Sequence, residues 1–429
     1  MTISPVALAI IVLLVCLFFK VPVFVSIMAG CVTYFSLTPD IPQLIVTQRI
    51  VSGTESIPLL AVPFFVCAGV YMNYSGVTER IMNFCSVLTG RMTGGLAQVN
   101  VLLSTLMGGL SGSNLADAAM EAKMLVPEME KKGFSKAFSS VVTATSAMIT
   151  PLIPPGIGMI IYASVTGVSV GKMFISGLGV GAILCIAMMI LVHIMSKKRG
   201  YKPIRTEKLP AKEVVGSVKQ AFFPLCLPII IIGGIRIGMF TPTEAGAVAI
   251  VYSLILGFCY KKMNAKNLVA GIKETVLTTA SIMLIVGAAS ALSWIFTKEQ
   301  IPQTLTTFML THISNKYIFL LIVNVFLIFV GMFVEGNAIN IILGPLLAPI
   351  AASYGIDPIQ FGMMFIFNIS IGSLSPPMGT LMFVTCGVTK CKIKDFIKES
   401  IPFYILLFIV LAFLTFVPVC TTGLVNLFY

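Results

Sequence analysis

The chain has 429 residues, of which 57% are hydrophobic and 10% are charged, and its formal net charge is +12. A soluble domain carries about 25% charged residues, so this composition excludes a soluble enzyme, a disordered protein and a nucleic-acid binder. An all-α polytopic membrane protein remains, because apolar runs of helical length recur along the whole sequence.

Ten stretches are predicted to cross the membrane, and they lie at 4–19, 21–37, 57–75, 135–166, 172–195, 222–238, 241–260, 279–296, 357–389 and 400–421. Met1 to Lys20 lacks a basic leading region and a small-residue cleavage motif, so we expect it to be retained as the first span. The stretches 40–55 and 264–277 mix polar and apolar residues and are predicted to lie at the membrane surface.

Two further apolar stretches have a different shape. Residues 95–109 and 317–331 are each followed by a polar break of small residues and then by a second helical stretch. This pattern predicts two re-entrant hairpins, over 95–132 and 317–353, which enter and leave the membrane on one side. Two ordinary spans joined by a tight loop are the alternative.

The basic residues favour the hairpins. With ten crossings, two hairpins that do not cross and an outer N-terminus, the lysine-rich segments 197–219, 261–273 and 390–398 all lie inside. The outer side then receives only Arg49, Lys172, Arg236, Lys298 and Lys316. The positive-inside rule expects this asymmetry. The segment 197–220 is then a cytoplasmic linker, and contact with anionic lipid is a second explanation of its charge.

The chain also contains an internal repeat. The shift that aligns Pro154-Pro155 with Pro376-Pro377 also aligns Gly109 with Gly331, without a gap, and we call this shift the repeat offset. Five crossings in each half make the repeats inverted. The first, 1–196, has scaffold spans 1–75, a hairpin and a broken helix 135–166; the second, 221–429, has scaffold spans 222–296, a hairpin and a broken helix 357–389. Such inverted repeats with interrupted helices indicate a secondary transporter.

The hairpin breaks contain the first candidate site residues. In Gly108–Asp117, the pair Asn114 and Asp117 has the spacing of a helix N-cap and its third residue. The second break contains Glu335. A carboxylate within an apolar region is costly and often functional, so Asp117 and Glu335 either face a ligand or cap their hairpins, and both interpretations stay open.

The two tandem prolines interrupt predicted spans at 150–156 and 372–379. Proline lacks an amide donor and frees carbonyl groups upstream, and unwound backbone within a membrane must line a cavity enclosed by protein. A simple kink is the alternative. One hairpin tip and one broken helix in each half would form two cages of neutral oxygens, which favours Na⁺ over protons, with the helix N-termini attracting an anionic solute between them.

At these motifs the chain resembles the large membrane subunit of tripartite ATP-independent periplasmic (TRAP) transporters, and in overall character their sialic-acid members. The matching segments are Gly109–Asp117, Pro127–Gly133, Pro151–Pro155, Gly238–Gly246, Gly331–Asn337 and Ser373–Met378. The resemblance covers nearly the whole chain. It implies an elevator transporter related to sodium-coupled dicarboxylate carriers in the bacterial inner membrane. It also implies a separate small four-helix membrane subunit, a periplasmic solute-binding protein and sodium-coupled import of an organic acid.

The resemblance also implies where ligands bind. The expected sodium ligands are Ser111, Ser113, Asn114, Met148, Thr150, Pro151, Pro154, Gly331, Glu335, Asn337, Gly372, Ser373, Ser375 and Pro376, in two or more sites. The expected solute contacts are Asn114, Gly156, Gly336, Asn337, Pro377, Gly379 and Thr380. No organic cofactor and no catalytic residue are expected, membrane lipid surrounds the chain, and sialic acid is favoured over C4-dicarboxylates.

Other classes of function make different predictions. An intramembrane enzyme would use Asp117 and Glu335 as an acid pair, although the repeat offset aligns Asp117 with Ile339 instead. A passive channel predicts flux without coupling or saturation. Among transporters, the alternative is a stand-alone sodium/carboxylate carrier that needs no binding protein.

Overall fold

The computed structural model describes residues 4–19 and 21–429, and within these ranges all regular secondary structure is helical. Residues 1–3 and Lys20 of the N-terminal segment that we expect to be retained therefore lie outside the described residues, whereas the predicted span 4–19 lies within them. In the first half the helices are α1 (Pro5–Phe18), α2 (Val23–Leu37), α3 (Leu44–Thr54), α4 (Ala61–Tyr74), α5 (Val77–Thr89), α6 (Gly95–Ser111), α7 (Asn114–Lys131), α8 (Lys136–Ser146), α9 (Ile157–Thr166) and α10 (Val170–Lys198). Short 3₁₀ turns occur at Ile57–Leu60 and Thr150–Leu152.

The second half has a similar series. Its helices are α11 (Ala211–Arg236), α12 (Pro242–Cys259), α13 (Ala265–Lys298), α14 (Ile301–His312), α15 (Lys316–Gly331), α16 (Gly336–Ser353), α17 (Pro358–Leu374), α18 (Thr380–Thr389), α19 (Ile393–Phe416) and α20 (Val419–Phe428). The linker is shorter than 197–220, because α10 continues to Lys198 and α11 already begins at Ala211.

Several of these helices suit a membrane. In the described part of the chain, α10, α11, α12, α13, α16 and α19 are long and apolar enough to cross one, and a seventh span results if α8 and α9, bent by 43°, count together. This confirms the predicted class, an all-α polytopic membrane protein. The ten crossings stay a prediction, because many other apolar helices have 10–17 residues and an upright span needs about 20.

Helix bounds recur between the halves. Helices α7 and α16 each have 18 residues, and their first residues, Asn114 and Gly336, are related by the repeat offset. The same offset relates Lys136 and Pro358, which begin α8 and α17. The offset relates Ile157, the first residue of α9, to Gly379, and α18 begins one residue later, at Thr380. The element order of the two halves therefore matches from α6 to α10 and from α15 to α19, and the inverted orientation of the halves stays a prediction.

Some predicted boundaries were wrong. The stretch 264–277 is not a separate surface helix, because it forms the first part of the 34-residue α13. Proline accounts for the difference between the halves: the sequence has prolines at 58 and 63, where α3 and α4 separate, and none between 265 and 298. The span predicted at 400–421 ends at Phe416, since Pro418 separates α19 from α20. The prediction also left α5 and α14 unassigned.

The broken helices lie in the interior. Every residue from Ile359 to Leu374 of α17 is buried, as is every residue from Phe138 to Ser146 of α8. In contrast, α11 exposes large apolar side chains, including Phe223 and Ile229. The unwound backbone between α8 and α9 is therefore enclosed by protein, which is the environment that a membrane requires for it.

Candidate functional site

The first hairpin turns between α6 and α7. Gly112 has a left-handed backbone with φ of 65°, and a methyl group there would lie 2.8 Å from the Pro155 carbonyl oxygen. The turn makes Ser113 the first extended residue, and its hydroxyl accepts a hydrogen bond from the amide of Ala116 at 3.4 Å. The N-cap is thus Ser113, and the capping prediction for Asn114 with Asp117 is wrong because the α7 helix begins one residue earlier than that pairing requires.

Asp117 has a different role in the structure. Its side chain is buried and accepts a hydrogen bond from the Thr150 hydroxyl at 2.8 Å. Thr150 begins the 3₁₀ turn that interrupts the broken helix. The carboxylate therefore connects the first hairpin to the first helix break.

The second hairpin turns between α15 and α16. Glu335 is the N-cap of α16, and its carboxylate accepts a hydrogen bond from the Ala338 amide at 3.2 Å. The repeat offset relates Ser113 to Glu335, so the two returning arms are capped at equivalent positions. Glu335 therefore caps its hairpin, which is one of the two interpretations left open above. Glu335 also lines the cleft described below.

Both tandem prolines interrupt helices, and both are joined by cis peptide bonds. Helix α9 starts after Gly156 and α18 starts after Gly379. A methyl group at Gly156 would lie 2.3 Å from the Pro151 carbonyl oxygen, and one at Gly379 would lie 2.6 Å from the Ser373 carbonyl oxygen. In each break, a backbone carbonyl group therefore lies against the glycine that precedes the next helix, and a larger residue would not fit there.

Glycines bring each hairpin against its broken helix. A methyl group at Gly108 would lie 2.9 Å from the Thr150 Cα atom, and one at Gly331 would lie 3.0 Å from the Gly372 Cα atom. Thr150 and Gly372 are equivalent positions under the repeat offset. A close backbone contact thus joins hairpin and broken helix in both halves, although Gly108 lies one position before Gly109, the equivalent of Gly331.

The two hairpin tips and the two breaks meet in a central cleft that holds about 750 Å³ of space, its open mouth included. Helix α13 closes it with Thr278 and Ile282. The predicted ligand residues that line the cleft are Ser113, Asn114, Pro151, Glu335, Gly336, Asn337, Ser373 and Thr380. Hydroxyl, amide and carboxylate oxygens therefore surround this space, together with the N-termini of α7 and α16.

The other predicted ligand residues do not line the cleft. They are Met148, Thr150, Pro154, Gly156, Gly331, Gly372, Ser375, Pro376, Pro377 and Gly379. Most are buried in the contacts between hairpin and break, whereas Pro377 is exposed. The Ser375 hydroxyl donates to the Ile371 carbonyl at 2.7 Å. The side chain of Ser111 lies outside the described part of the chain.

The cleft also contains residues that the sequence did not single out. Asn340 follows Asn337 by three residues and Ser370 precedes Ser373 by three, so this spacing could have placed both on the cleft face of their helices. The Asn340 side-chain oxygen is buried and has no hydrogen-bond partner among the described residues, which is typical of a group that awaits a ligand. Thr278 carries no such signal in the sequence.

Comparisons with known proteins agree with this architecture. Residues 10–420 match the family described as "Tripartite ATP-independent periplasmic transporter, DctM component". The chain is 39% identical to the sialic acid TRAP transporter large permease protein SiaM of Vibrio cholerae, over 96% of both chains. It is 34% identical to the C4-dicarboxylate TRAP transporter large permease protein DctM of Pseudomonas aeruginosa, over 93% of both.

A solved structure shares the fold. The YdaH transporter of Alcanivorax borkumensis matches with a TM-score of 0.54 and 15% identity, over 85% of this chain and 86% of that one. The relatives are named as permeases, so the chain is a transporter component and not an intramembrane enzyme. By sequence, the chain belongs to the family of the large permease, or DctM, components of tripartite ATP-independent periplasmic transporters.

Proposed function

We propose that the chain imports an organic acid across the bacterial inner membrane, coupled to the entry of Na⁺. The observation that carries this proposal is the meeting of both hairpin tips and both helix breaks in one cleft. Discontinuous helices of this kind bind ions through carbonyl groups and anionic solutes through helix N-termini. The expected ligands are those named above for the two halves.

The chemistry of the oxygens supports Na⁺ as the coupling ion. The groups at the cleft are largely neutral, with the Ser113 and Ser373 hydroxyls and the Asn114 and Asn337 amides among them. Hard cations prefer oxygen ligands, whereas a proton relay needs titratable groups in series. Glu335 is the one carboxylate among the described cleft-lining residues, and its interaction with the Ala338 amide occupies it as a cap.

The solute is proposed to be sialic acid first and a C4-dicarboxylate second. The Vibrio cholerae relative named for sialic acid shares more identity with the chain than the Pseudomonas aeruginosa relative named for C4-dicarboxylates, 39% against 34%. The N-termini of α7 and α16 open onto the cleft and attract an anionic group through their unpaired amides and dipoles.

The proposed mechanism is an elevator movement between two inverted repeats. The hairpins and broken helices would move as one unit, because Gly108 against Thr150 and Gly331 against Gly372 leave no room for sliding within each half. The scaffold would consist of α1 to α4 and α11 to α14. Thr278 and Ile282 of α13 are the residues of this proposed scaffold that line the cleft, so the movement would shift the cleft along α13.

The proposed partners are those of the family: a small four-helix membrane subunit and a periplasmic solute-binding protein. Two exposed apolar helices support a membrane partner or lipid contact, since α11 exposes Phe222 and Ile229 and α12 exposes Val251 and Ile255. Exposed apolar surface of this extent is unstable in water and requires lipid or protein cover. A carrier that works without a binding protein remains the second proposal.

Reconstitution tests the proposal. The purified chain and its small subunit are placed in liposomes, and uptake of sialic acid and of succinate is measured under sodium, potassium or proton gradients. We expect uptake that requires the sodium gradient and the binding protein. Equal uptake under all three gradients would refute sodium coupling, and full uptake without the binding protein would establish the stand-alone carrier.

A further inference from the structure

A second cleft continues from the central one towards the end of α13 that is predicted to face outside. It holds about 1080 Å³ of space and lies between α3 and α13 on one side and α9 and α16 on the other. Helix α13 lines the central cleft with Ile282 and the second cleft with Val286, and α16 does so with Asn340 and Ile341. The two clefts thus lie next to each other along α13 and α16, and we call the second one the outer cleft.

The outer cleft has a distinct set of polar groups. Arg49 is the one charged residue among its described lining residues, and those that carry a hydroxyl group are Ser56, Ser164, Ser290, Ser293 and Thr297. A guanidinium binds carboxylates through two parallel hydrogen bonds, and serine hydroxyls both donate to and accept from hydroxyl groups. This combination suits a hydroxylated organic acid.

A helix contact holds the backbone near Arg49, whose side chain is exposed. A methyl group at Gly53, one turn after Arg49, would lie 2.3 Å from the Ser290 Cβ atom, so α3 and α13 touch here. The Arg49 guanidinium lies 5.9 Å from the centre of the Trp294 ring, and Phe35 stacks on that ring at 5.8 Å. Arg49 is therefore held at the mouth of the outer cleft beside the serines.

We propose that the outer cleft is a separate first binding site for a hydroxylated organic acid. Arg49 binds the carboxylate, and Ser290 with Ser293 binds hydroxyl groups, before the solute reaches the central cleft. The inference rests on the proposed import of an organic acid. It places a second solute-binding site in the outer cleft, separate from the one proposed in the central cleft. A cationic group at the mouth also raises the local concentration of anionic solute.

The sequence contains a single tryptophan, Trp294, so its fluorescence reports directly on the outer cleft. Purified protein in detergent is titrated with N-acetylneuraminate and, for comparison, with the uncharged sugar N-acetylmannosamine. We expect a saturable change in emission with the acid and none with the neutral sugar. Arg49→Ala should raise the half-saturating concentration by about tenfold, as expected for a lost charge-assisted hydrogen bond.

Lys298→Ala is the matched control. The Lys298 ammonium lies 5.6 Å from the centre of the same Trp294 ring, but Lys298 is not among the residues that line the outer cleft. This variant should titrate like the wild type. The proposal is overturned if Arg49→Ala also titrates like the wild type, if the neutral sugar gives the same change, or if the acid gives no change at all.

A second variant tests the serines. The double variant Ser290→Ala/Ser293→Ala should weaken N-acetylneuraminate binding about tenfold and leave succinate, which has no hydroxyl groups, unchanged. Equal effects on both acids would overturn the assignment of the hydroxyl contacts. All variants are first checked for the wild-type thermal unfolding midpoint.

Uptake separates this inference from the proposed function. In proteoliposomes, Arg49→Ala should raise the half-saturating solute concentration about tenfold, whereas Lys298→Ala should match the wild type in half-saturating concentration, sodium dependence and maximal rate. Wild-type protein without any sodium-dependent uptake would refute the proposed function, while the Trp294 titration would still decide whether the outer cleft binds acids.

Discussion

The contact between Gly331 and Gly372 makes a sharp prediction, because the second hairpin and the second broken helix meet there backbone against backbone. A methyl group at Gly372 would lie 2.6 Å from the Gly331 Cα atom and 2.8 Å from the Ile328 carbonyl oxygen. Neither of these atoms belongs to a side chain that could rotate away. The variant Gly372→Ala therefore requires α15 and α17 to separate.

The size of the effect follows from two opposing contributions. Carbon atoms pack best at about 3.5–4.0 Å, so the two helices must move apart by roughly 1 Å. Overpacking of this kind costs about 1–3 kcal/mol, whereas alanine gains only about 0.5–1 kcal/mol over glycine within a helix. Overpacking should dominate, and it displaces Ser373, the next residue, from its position in the central cleft.

The assay compares Gly372→Ala with Gly387→Ala. Gly387 lies in α18, and a methyl group there would have no atom within 4 Å. We expect a lower unfolding midpoint in detergent and about tenfold weaker sodium dependence of uptake for Gly372→Ala, equivalent to about 1.4 kcal/mol. Gly387→Ala should match the wild type or exceed its stability. If the two variants have the same unfolding midpoint and the same sodium dependence, the close contact does not exist as described.

Four further variants probe the hairpins and the helix breaks. Thr150→Val removes the hydroxyl that donates to Asp117 at 2.8 Å, and it should lower the free energy of unfolding by about 1–3 kcal/mol, measured by thermal unfolding. Glu335→Ala removes the N-cap of α16 and should cost about 0.5–2 kcal/mol in the same measurement. Replacing both residues of Pro154–Pro155, or both of Pro376–Pro377, by alanine should weaken the sodium dependence of uptake, because helix would replace the breaks.

The two single-residue variants each have a matched control. Thr150→Ser keeps a hydroxyl and Glu335→Gln keeps an acceptor oxygen, so both should stay close to the wild type. Identical stability of Thr150→Val and Thr150→Ser would show that the hydrogen bond to Asp117 contributes nothing. If Glu335→Ala is as stable as Glu335→Gln, capping by Glu335 does not contribute to stability. Unchanged sodium affinity in both proline double variants would contradict the assignment of cation sites to the breaks.

Much of the fold could be predicted because the signals are local. Glycine, proline and small polar residues mark both hairpin turns and both helix breaks, and the structure ends helices at Ser111, Gly331 and Leu374 near the expected positions. The continuity of α13 was missed because Lys266, Lys273 and Glu274 make its first part look like a surface helix. Exposed charges at the end of a long helix are compatible with continued backbone hydrogen bonding, so composition alone does not mark a boundary.

The site was predictable only where its residues belong to those turns. Ser113, Asn114 and Asn337 lie at hairpin tips and line the central cleft. Thr278 reaches the same cleft from the middle of an apolar helix, and its place depends on which residues of α13 face the hairpins. That register is set by packing between distant segments. The exposure of Pro377 has the same origin, since its partner position in the first half is buried.

The two halves also differ in how equivalent joints are held together. In the first half, the joint at Thr150 combines a backbone contact to Gly108 with a hydrogen bond to the buried Asp117 carboxylate. In the second half, Gly372 itself offers backbone contact alone, and Ile339 occupies the position equivalent to Asp117. The Asn368 amide of α17 donates to the Asn324 side-chain oxygen of α15 at 2.6 Å, which is a hydrogen bond between neutral groups. A charge-assisted hydrogen bond adds about 1.5–3 kcal/mol to such a contact. The first joint should therefore be the more rigid, and the second should be the one that responds more readily to ion and solute binding.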